Sequence, residues 1–382
     1  MSELIALSMT PGILYLETIK RIWDEGNAFL PLDTRLSKPA TQKILDAMTP
    51  RYLIDNEGKK HSLANSLPTS PDEAVVISTS GTTGEPKGVV LSHMAIQSSV
   101  RSTHSALGVD TAKDKWLACL PLSHIGGLAV IFRSIFSLIP VEILPQFDPD
   151  AVTKAASEGA TLTSLVPTAL QRIDPSIFRK ILLGGSAAFF DLAPNVVMTY
   201  GMSETGSGIV YNGIPIPDAK IKISESGEIL VKGPMLFKNY RDQSNPKDEH
   251  GWFHTGDGGF IDENDKLVVH GRIKEMIITG GENIWPKALE VIIQSLPGIK
   301  EAAVIGCPDK YWGQKVVAFI VLDDHSQNFS TKLQDQIKDT VKQNLSPWAV
   351  PKRIIPLDKL PRNSGGKVLK QKLELYCQTE SL

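Results

Sequence analysis

Apolar residues recur at helical spacing between Leu14 and Ile22. The first seventy residues otherwise read as helix-like pieces that end in a polar run, Asn56 to Lys60, and a loop at Pro68-Thr-Ser-Pro71. From Ala74 the pattern changes to short, continuous apolar runs separated by helical stretches. Ala74-Val-Val-Ile-Ser78 predicts a buried strand entering a glycine-rich turn, and a helix follows from about Ser92, whose hydroxyl suits an N-cap. Trp116 to Leu120 predicts a second strand, followed by a loop and an apolar helix from Gly127 to Leu138. Val141 to Leu144, Thr161 to Val166, Lys180 to Leu183 and Val196 to Thr199 predict further strands. Strands alternating with helices imply an α/β fold with a largely parallel, covered sheet.

From Ile221 the texture shifts. Ile221-Lys-Ile-Ser and Glu228-Ile-Leu-Val flank a Ser226-Gly227 turn as a β-hairpin would, and Lys266 to His270 predicts another strand. Beyond Gly271 the elements are short and mixed, with helices at about Pro286 to Ser295 and Thr331 to Asn344. A boundary near Arg272 to Lys274 then separates a large N-terminal domain (1–271), carrying a small β subdomain, from a smaller α+β C-terminal domain (275–382), with 272–274 as hinge.

Composition narrows the function classes. At 382 residues, two or three domains are expected, and 42% hydrophobic residues suffice for sizeable cores. Forty Lys+Arg against forty-two Asp+Glu leave a net charge of −2, so no basic field exists to hold nucleic acid. No run is apolar and uncharged long enough to span a membrane; Leu117 to Leu144 comes closest but contains His124, Arg133 and Glu142. The opening Met-Ser-Glu lacks the basic patch of a secretory signal, and a cytoplasmic location is expected. Cys119, Cys307 and Cys377 lie far apart with no paired spacing, which predicts reduced thiols and neither a disulfide scaffold nor a cysteine zinc site. A homo-oligomer is left open.

Five segments carry candidate chemistry. In Ser78-Thr-Ser-Gly-Thr-Thr-Gly-Glu-Pro-Lys-Gly88, glycines let backbone N–H groups approach an anion, hydroxyls donate to phosphate oxygens, and Lys87 adds a positive charge. It is not the common P-loop, because Pro86 precedes the lysine and Gly88 follows it. Tyr200-Gly-Met-Ser-Glu-Thr-Gly206 offers an aromatic face, a carboxylate for a hard cation and a hydroxyl for phosphate. Gly251-Trp-Phe-His-Thr-Gly-Asp257 places a carboxylate that suits two ribose hydroxyls. Taken alone, these last two read first as turns. The remaining segments are Gly271-Arg-Ile-Lys-Glu-Met-Ile-Ile-Thr-Gly-Gly-Glu-Asn-Ile284 and Leu360-Pro-Arg-Asn-Ser-Gly-Gly-Lys367, whose lysine by itself reads as a solvated loop residue.

In this order, over about Ala28 to Lys370, the segments resemble the adenylate-forming superfamily of acyl- and aryl-CoA ligases, luciferases and peptide-synthetase adenylation domains. The resemblance implies an N-terminal ATP- and acid-binding domain and a mobile C-terminal domain that rotates between two half-reactions. A carboxylate first attacks the α-phosphate of ATP; the CoA thiolate then displaces AMP. By the same resemblance, Thr79, Ser80, Gly81, Thr82, Thr83, Gly84 and Lys87 would hold the β- and γ-phosphates. Gly184, Gly185 and Ser186 would line the adenine, with Tyr200 stacked on it. Thr205 would bind the α-phosphate and Glu204 the Mg²⁺. Asp257 and Arg272 would hold the ribose, Lys274 would be the hinge, Lys367 would bridge carboxylate and α-phosphate, and Gly280-Gly281 would guide coenzyme A.

Leu120-Pro-Leu-Ser-His-Ile-Gly-Gly127, Ile131-Phe-Arg-Ser134, Thr163-Ser-Leu-Val-Pro-Thr-Ala-Leu170 and Ile278-Thr-Gly-Gly-Glu-Asn-Ile-Trp-Pro286 are most similar to o-succinylbenzoate–CoA ligases of menaquinone biosynthesis, especially short actinobacterial forms. Those forms share the short stretch before Phe29-Leu-Pro-Leu-Asp33. Gly365 departs from the serine or threonine usual in the superfamily. Ser123, His124 and Arg133 would then line the acid. No acidic residue lies between Asp114 and Glu142, so an ammonium-bearing substrate would be unpaired there, whereas a second carboxylate would find a cation. Arg133 as a satisfied helix-face residue and His124 as a packed gate stay as alternatives. So do a ligase for another aryl or fatty acid and a non-catalytic nucleotide-binding homologue.

Overall fold

The computed structural model describes residues 2–80, 85–185, 192–323, 329–362 and 368–377. The chain gathers into two compact units: Met1–Lys222 with Leu230–His254 and Asp262–Leu267, and Ile223–Ile229 with Thr255–Ile261 and Val268–Leu382.

In the first unit, a six-stranded sheet has the order β4-β3-β1-β2-β5-β6, formed by β1 (Leu4–Leu7), β2 (Ala28–Pro31), β3 (Tyr52–Ile54), β4 (Lys60–Ser62), β5 (Glu73–Ser80) and β6 (Pro86–Ser92). Strand β1 pairs in parallel with β2 and β3, through the connections that hold α1 (Ile13–Asp24) and α2 (Lys38–Met48). Four of these strands lie in the first seventy residues, where the sequence predicts mainly helix. They are only three or four residues long, too short for alternation to register, and β1 and β2 are buried along their whole length. Leu4, Ala6, Ala28, Leu30, Met48, Val76 and Val90 form the core between sheet and α2.

Strand β6 leads into α3 (His93–Leu107), capped by Ser92, whose Oγ accepts the Ala95 N–H at 3.1 Å. A seven-stranded sheet follows, β13-β12-β11-β10-β9-β7-β8, from β7 (Trp116–Ala118), β8 (Val141–Ile143), β9 (Leu162–Leu165), β10 (Lys180–Leu183), β11 (Val196–Met202), β12 (Ser207–Tyr211) and β13 (Ile214–Pro215). From β8 to β11 along this path every pairing is parallel, as the alternation of strands and helices predicts. Helix α4 (Ile125–Ser137) is buried from Gly127 through Ser134, as an all-round apolar helix must be. A Cβ on Gly127 would lie 2.5 Å from the Leu120 and Pro121 carbonyl oxygens, so only glycine lets this helix start so close to the preceding loop. Helices α5 (Pro149–Ser157) and α6 (Pro167–Leu170) place Val152 and Ala169 in a core with Leu117, Leu165 and Ile181.

A four-stranded sheet has the order β14 (Lys220–Ile223), β15 (Glu228–Lys232), β16 (Phe253–Ile261) and β17 (Leu267–Arg272). The second unit holds β18 (Ile277–Thr279), β19 (Glu282–Ile284), α7 (Pro286–Gln294), β20 (Ile299–Asp309), β21 (Gly313–Leu322), α8 (Thr331–Asn344), β22 (Arg353–Pro356) and α9 (Lys370–Leu373). Residues of β20 and β21 alternate between two cores. Val304, Val316, Ala318 and Ile320 face Leu289, Ile293, Ile337 and Val341, while Ala303, Ile305, Val317 and Phe319 lie with Leu360 and Leu373. Cys307 and Cys377 form a disulfide with Cα atoms 5.4 Å apart, against the expectation of three reduced thiols. Seventy residues of sequence separate the pair, so spacing gave no sign of it. Cys119 is free and buried, and burial pushes its thiol up to about 11.

Candidate active site

Residues 78–80 and 86–88 of the first candidate segment lie on two paired strands. Strands β5 and β6 are antiparallel, with Thr79 opposite Lys87 and Ser80 opposite Pro86, and the Thr79 hydroxyl donates to the Lys87 carbonyl at 3.2 Å. Lys87 therefore stands, exposed, on a strand that the sequence does not predict. Gly88 is buried; a Cβ there would lie 2.4 Å from Met48 Sδ and 2.8 Å from Arg241 Cβ and Val76 Cγ1. Its role in this structure is close packing. Gly81, Thr82, Thr83, Gly84, Ser186 and Lys367 lie outside the described residues.

Tyr200 is half-buried near the end of β11, where the pairing with β12 shifts register between Tyr200 and Gly201. Gly184 and Gly185 follow β10, Gly185 at φ +102°. A 3-10 turn, Ser203–Thr205, comes next. The Thr205 hydroxyl is fully buried: it accepts the Met202 N–H at 2.8 Å and reaches the Ser207 carbonyl at 2.6 Å. In this arrangement it braces the turn. Glu204 is half-buried, its carboxylate accepting the Tyr240 hydroxyl at 3.0 Å on Oε1. Among the described residues no group of three His, Cys, Asp or Glu side chains could cage a metal. One carboxylate fits a hard cation that arrives with a polyphosphate and takes its remaining ligands from phosphate and water.

Ser123 Oγ is buried with no hydrogen-bond partner among the described residues, and His124 is the exposed N-cap of α4. Arg133 is 3% exposed. Its guanidinium donates to Ser164 Oγ at 3.2 Å and Ser207 Oγ at 3.3 Å, and lies 5.0 Å from the Trp116 ring centroid. No carboxylate pairs with it among the described residues, and burial lowers its pKa. Nearby, His104 is held neutral, its pKa lowered to about 4 by burial first and by the Arg133 charge second, with Asp114 opposing.

In the second unit, Asp257 is buried and its Oδ1 lies 3.1 Å from Arg272 Nε, so the two candidate ribose groups are brought together. Arg272 Nη1 also donates to the Thr255 carbonyl at 2.7 Å, and the Asp257 N–H donates to Thr255 Oγ1 at 3.1 Å. Lys274 is exposed in the 3-10 turn Ile273–Glu275. Gly280 and Gly281, at φ +60° and +87°, turn β18 into β19. Beside them the sequence reading missed two tryptophans. Trp312 and Trp348 are 39% and 41% exposed with ring centroids 5.6 Å apart, and Gly280 donates to the Trp312 carbonyl at 2.9 Å. Exposed indoles flanked by Tyr311, Gly313 and Pro347 were the available signal. Arg362 and Val368 form an antiparallel bridge, and the Leu369 N–H donates to the Pro361 carbonyl at 2.8 Å.

The AMP-binding enzyme family matches residues 27–241, and the AMP-binding enzyme C-terminal domain matches 288–367. A 2-succinylbenzoate–CoA ligase of Enterococcus faecalis is 32% identical over 93% of this chain and 84% of its own length. One of Bacillus anthracis is 31% identical over 97% and 87%. The o-succinylbenzoate CoA synthetase (MenE) of Bacillus subtilis, solved with the acyl-adenylate OSB-AMP, superposes with a TM-score of 0.85 at 28% identity, covering 97% of this chain and 88% of that one. The same enzyme has been solved with ATP and a magnesium ion.

Proposed function

The chain belongs to the AMP-binding enzyme family, and from that membership we propose that it is an AMP-forming acid–CoA ligase acting on 2-succinylbenzoate in cytoplasmic menaquinone biosynthesis. It would adenylate the acid with ATP, release pyrophosphate, and pass the acyl group to coenzyme A. The observation that carries the choice of acid is Arg133. A buried cation without a counterion is costly, and a substrate bearing a second carboxylate offsets that cost. Packed on all sides, the guanidinium acts through the Ser164 and Ser207 hydroxyls rather than by a direct ion pair.

In-line attack of the carboxylate on the α-phosphate accumulates negative charge, and catalysis consists mainly of positioning and electrostatic stabilisation. Lys87 supplies a positive charge for the phosphates, and Asp257 with Arg272 orients the ribose. Glu204 would hold Mg²⁺, which when bound withdraws charge from the phosphate oxygens. Lys367 bridges the two reactants during adenylation. The mobile domain, 275–382 after a hinge at 272–274, then presents Gly280-Gly281 and the Trp312–Trp348 pair to coenzyme A, whose adenine suits aromatic faces.

The test is pyrophosphate exchange and thioester formation with a panel of 2-succinylbenzoate, matching monoacids and fatty acids. A preference of tenfold or more, about 1.4 kcal/mol, is expected for the dicarboxylate. Preference for fatty acids overturns the acid; no exchange with any acid overturns adenylation.

A further inference from the structure

We propose that Tyr240 is a positioning residue that sets both protein charges facing the nucleotide phosphates, its hydroxyl orienting Glu204 and its ring seating Lys87. This rests on the adenylating function proposed above. The Tyr240 hydroxyl donates to Glu204 Oε1 at 3.0 Å, and Lys87 Nζ lies 5.1 Å from the centroid of the same ring. An ionised carboxylate only accepts, so the phenol must be the donor, and the other carboxylate oxygen is left for a cation.

Tyr240 is itself held. Its N–H donates to the Ser244 carbonyl at 2.9 Å, its ring packs 5.0 Å from Phe237, and its backbone bridges Val89. The segment around it stitches together the two elements whose side chains it touches. Lys238 and Arg241 donate backbone N–H groups to the Val90 and Gly88 carbonyls of β6, at 2.8 and 2.7 Å, and Val90 donates to Asn239 at 3.1 Å. The Phe237 N–H donates to the Glu204 carbonyl at 2.8 Å. One short segment thus fixes the spacing between the lysine strand and the glutamate turn, and Tyr240 transfers that spacing to the charged ends. Neither Lys87 nor Glu204 is rigid alone: both end in several rotatable bonds, and Lys87 is exposed.

The experiment measures ATP binding calorimetrically to the full chain without acid, with Mg²⁺ and in EDTA, beside the Mg²⁺ dependence of pyrophosphate exchange. Tyr240→Phe keeps the ring and removes the hydroxyl. Its ATP affinity is expected to fall about tenfold with Mg²⁺ and to stay unchanged in EDTA. In a Glu204→Gln background the same substitution should have no further effect on the Mg²⁺ term. Tyr240→Leu should weaken binding in EDTA as well, through Lys87. If Tyr240→Leu does not fold, the Tyr240→Phe and Glu204→Gln cycle decides alone. Equal losses with and without Mg²⁺, additivity with Glu204→Gln, or no loss at all would overturn the assignment. Failure of the unsubstituted chain to bind ATP would instead overturn the proposed function.

Discussion

Arg133 and His104 sit within electrostatic reach of each other inside the first unit, and the imidazole reports on the arginine charge. Replacing Arg133 with leucine removes the second cause of the depressed His104 pKa, so NMR titration should show it rising from about 4 toward the ordinary value. The same substitution should raise the Michaelis constant for the dicarboxylate, leave that for ATP nearly unchanged, and narrow the preference over the matching monoacid. His104 also makes stability depend on pH. Its folded pKa lies below the unfolded value, so the unfolded chain binds the extra proton and stability is lost as pH falls from about 6.5 toward 4. The loss is at most about 3 kcal/mol; His104→Gln should shed this part of the slope in urea denaturation at pH 7 and 4.5. Arg133 was legible as a lone cation in an apolar helix. Its hydroxyl partners were not, because Ser164 and Ser207 lie 31 and 74 residues away.

Elements were legible where their apolar runs were long or capped. The helix predicted over Thr331 to Asn344 and the Ser92 cap are found in place, whereas β6 was hidden because Pro86-Lys-Gly88 reads as turn. The second unit contains an ion-pair clamp that no local pattern announced. Lys370 Nζ lies 2.8 Å from Glu275 and 3.0 Å from Glu290, joining α9 to the turn after β17 and to α7. Lys370→Met leaves two carboxylates facing each other and should destabilise this unit by about 3 kcal/mol, with Lys370→Arg recovering much of it, as read by chemical denaturation. The disulfide gives a second expectation. Denatured without reductant, the chain should show one reactive thiol, Cys119, and three after reduction. Cys377→Ser should cost up to about 4 kcal/mol in the chain-entropy account of a loop this long.

Over the whole chain, five motifs far apart in sequence were legible because each keeps its own local chemistry; the contact that Tyr240 makes with Glu204 and Lys87, of two of these motifs, was not. Tyr240 lies in none of them. If Lys367 serves only adenylation, Lys367→Ala should nearly abolish pyrophosphate exchange while thioester formation from preformed acyl-adenylate persists. Equal loss in both half-reactions would remove that role. Lys274→Pro, which locks a backbone angle, should impair thioester formation before adenylation. The crowding around Gly88 has a different reach. A motif glycine that looks like part of a phosphate grip is held to glycine by Met48 Sδ, Val76 Cγ1 and Arg241 Cβ, from residues 40 and 12 positions before it and 153 after it. Because the contact at 241 is with a Cβ atom, which every residue but glycine carries, trimming the arginine does not open the space. In an alignment of relatives, position 88 should therefore stay glycine even where 48 and 76 shrink, unless 241 is glycine too, and a graft of the loop into another scaffold should fail where a Cβ meets that position.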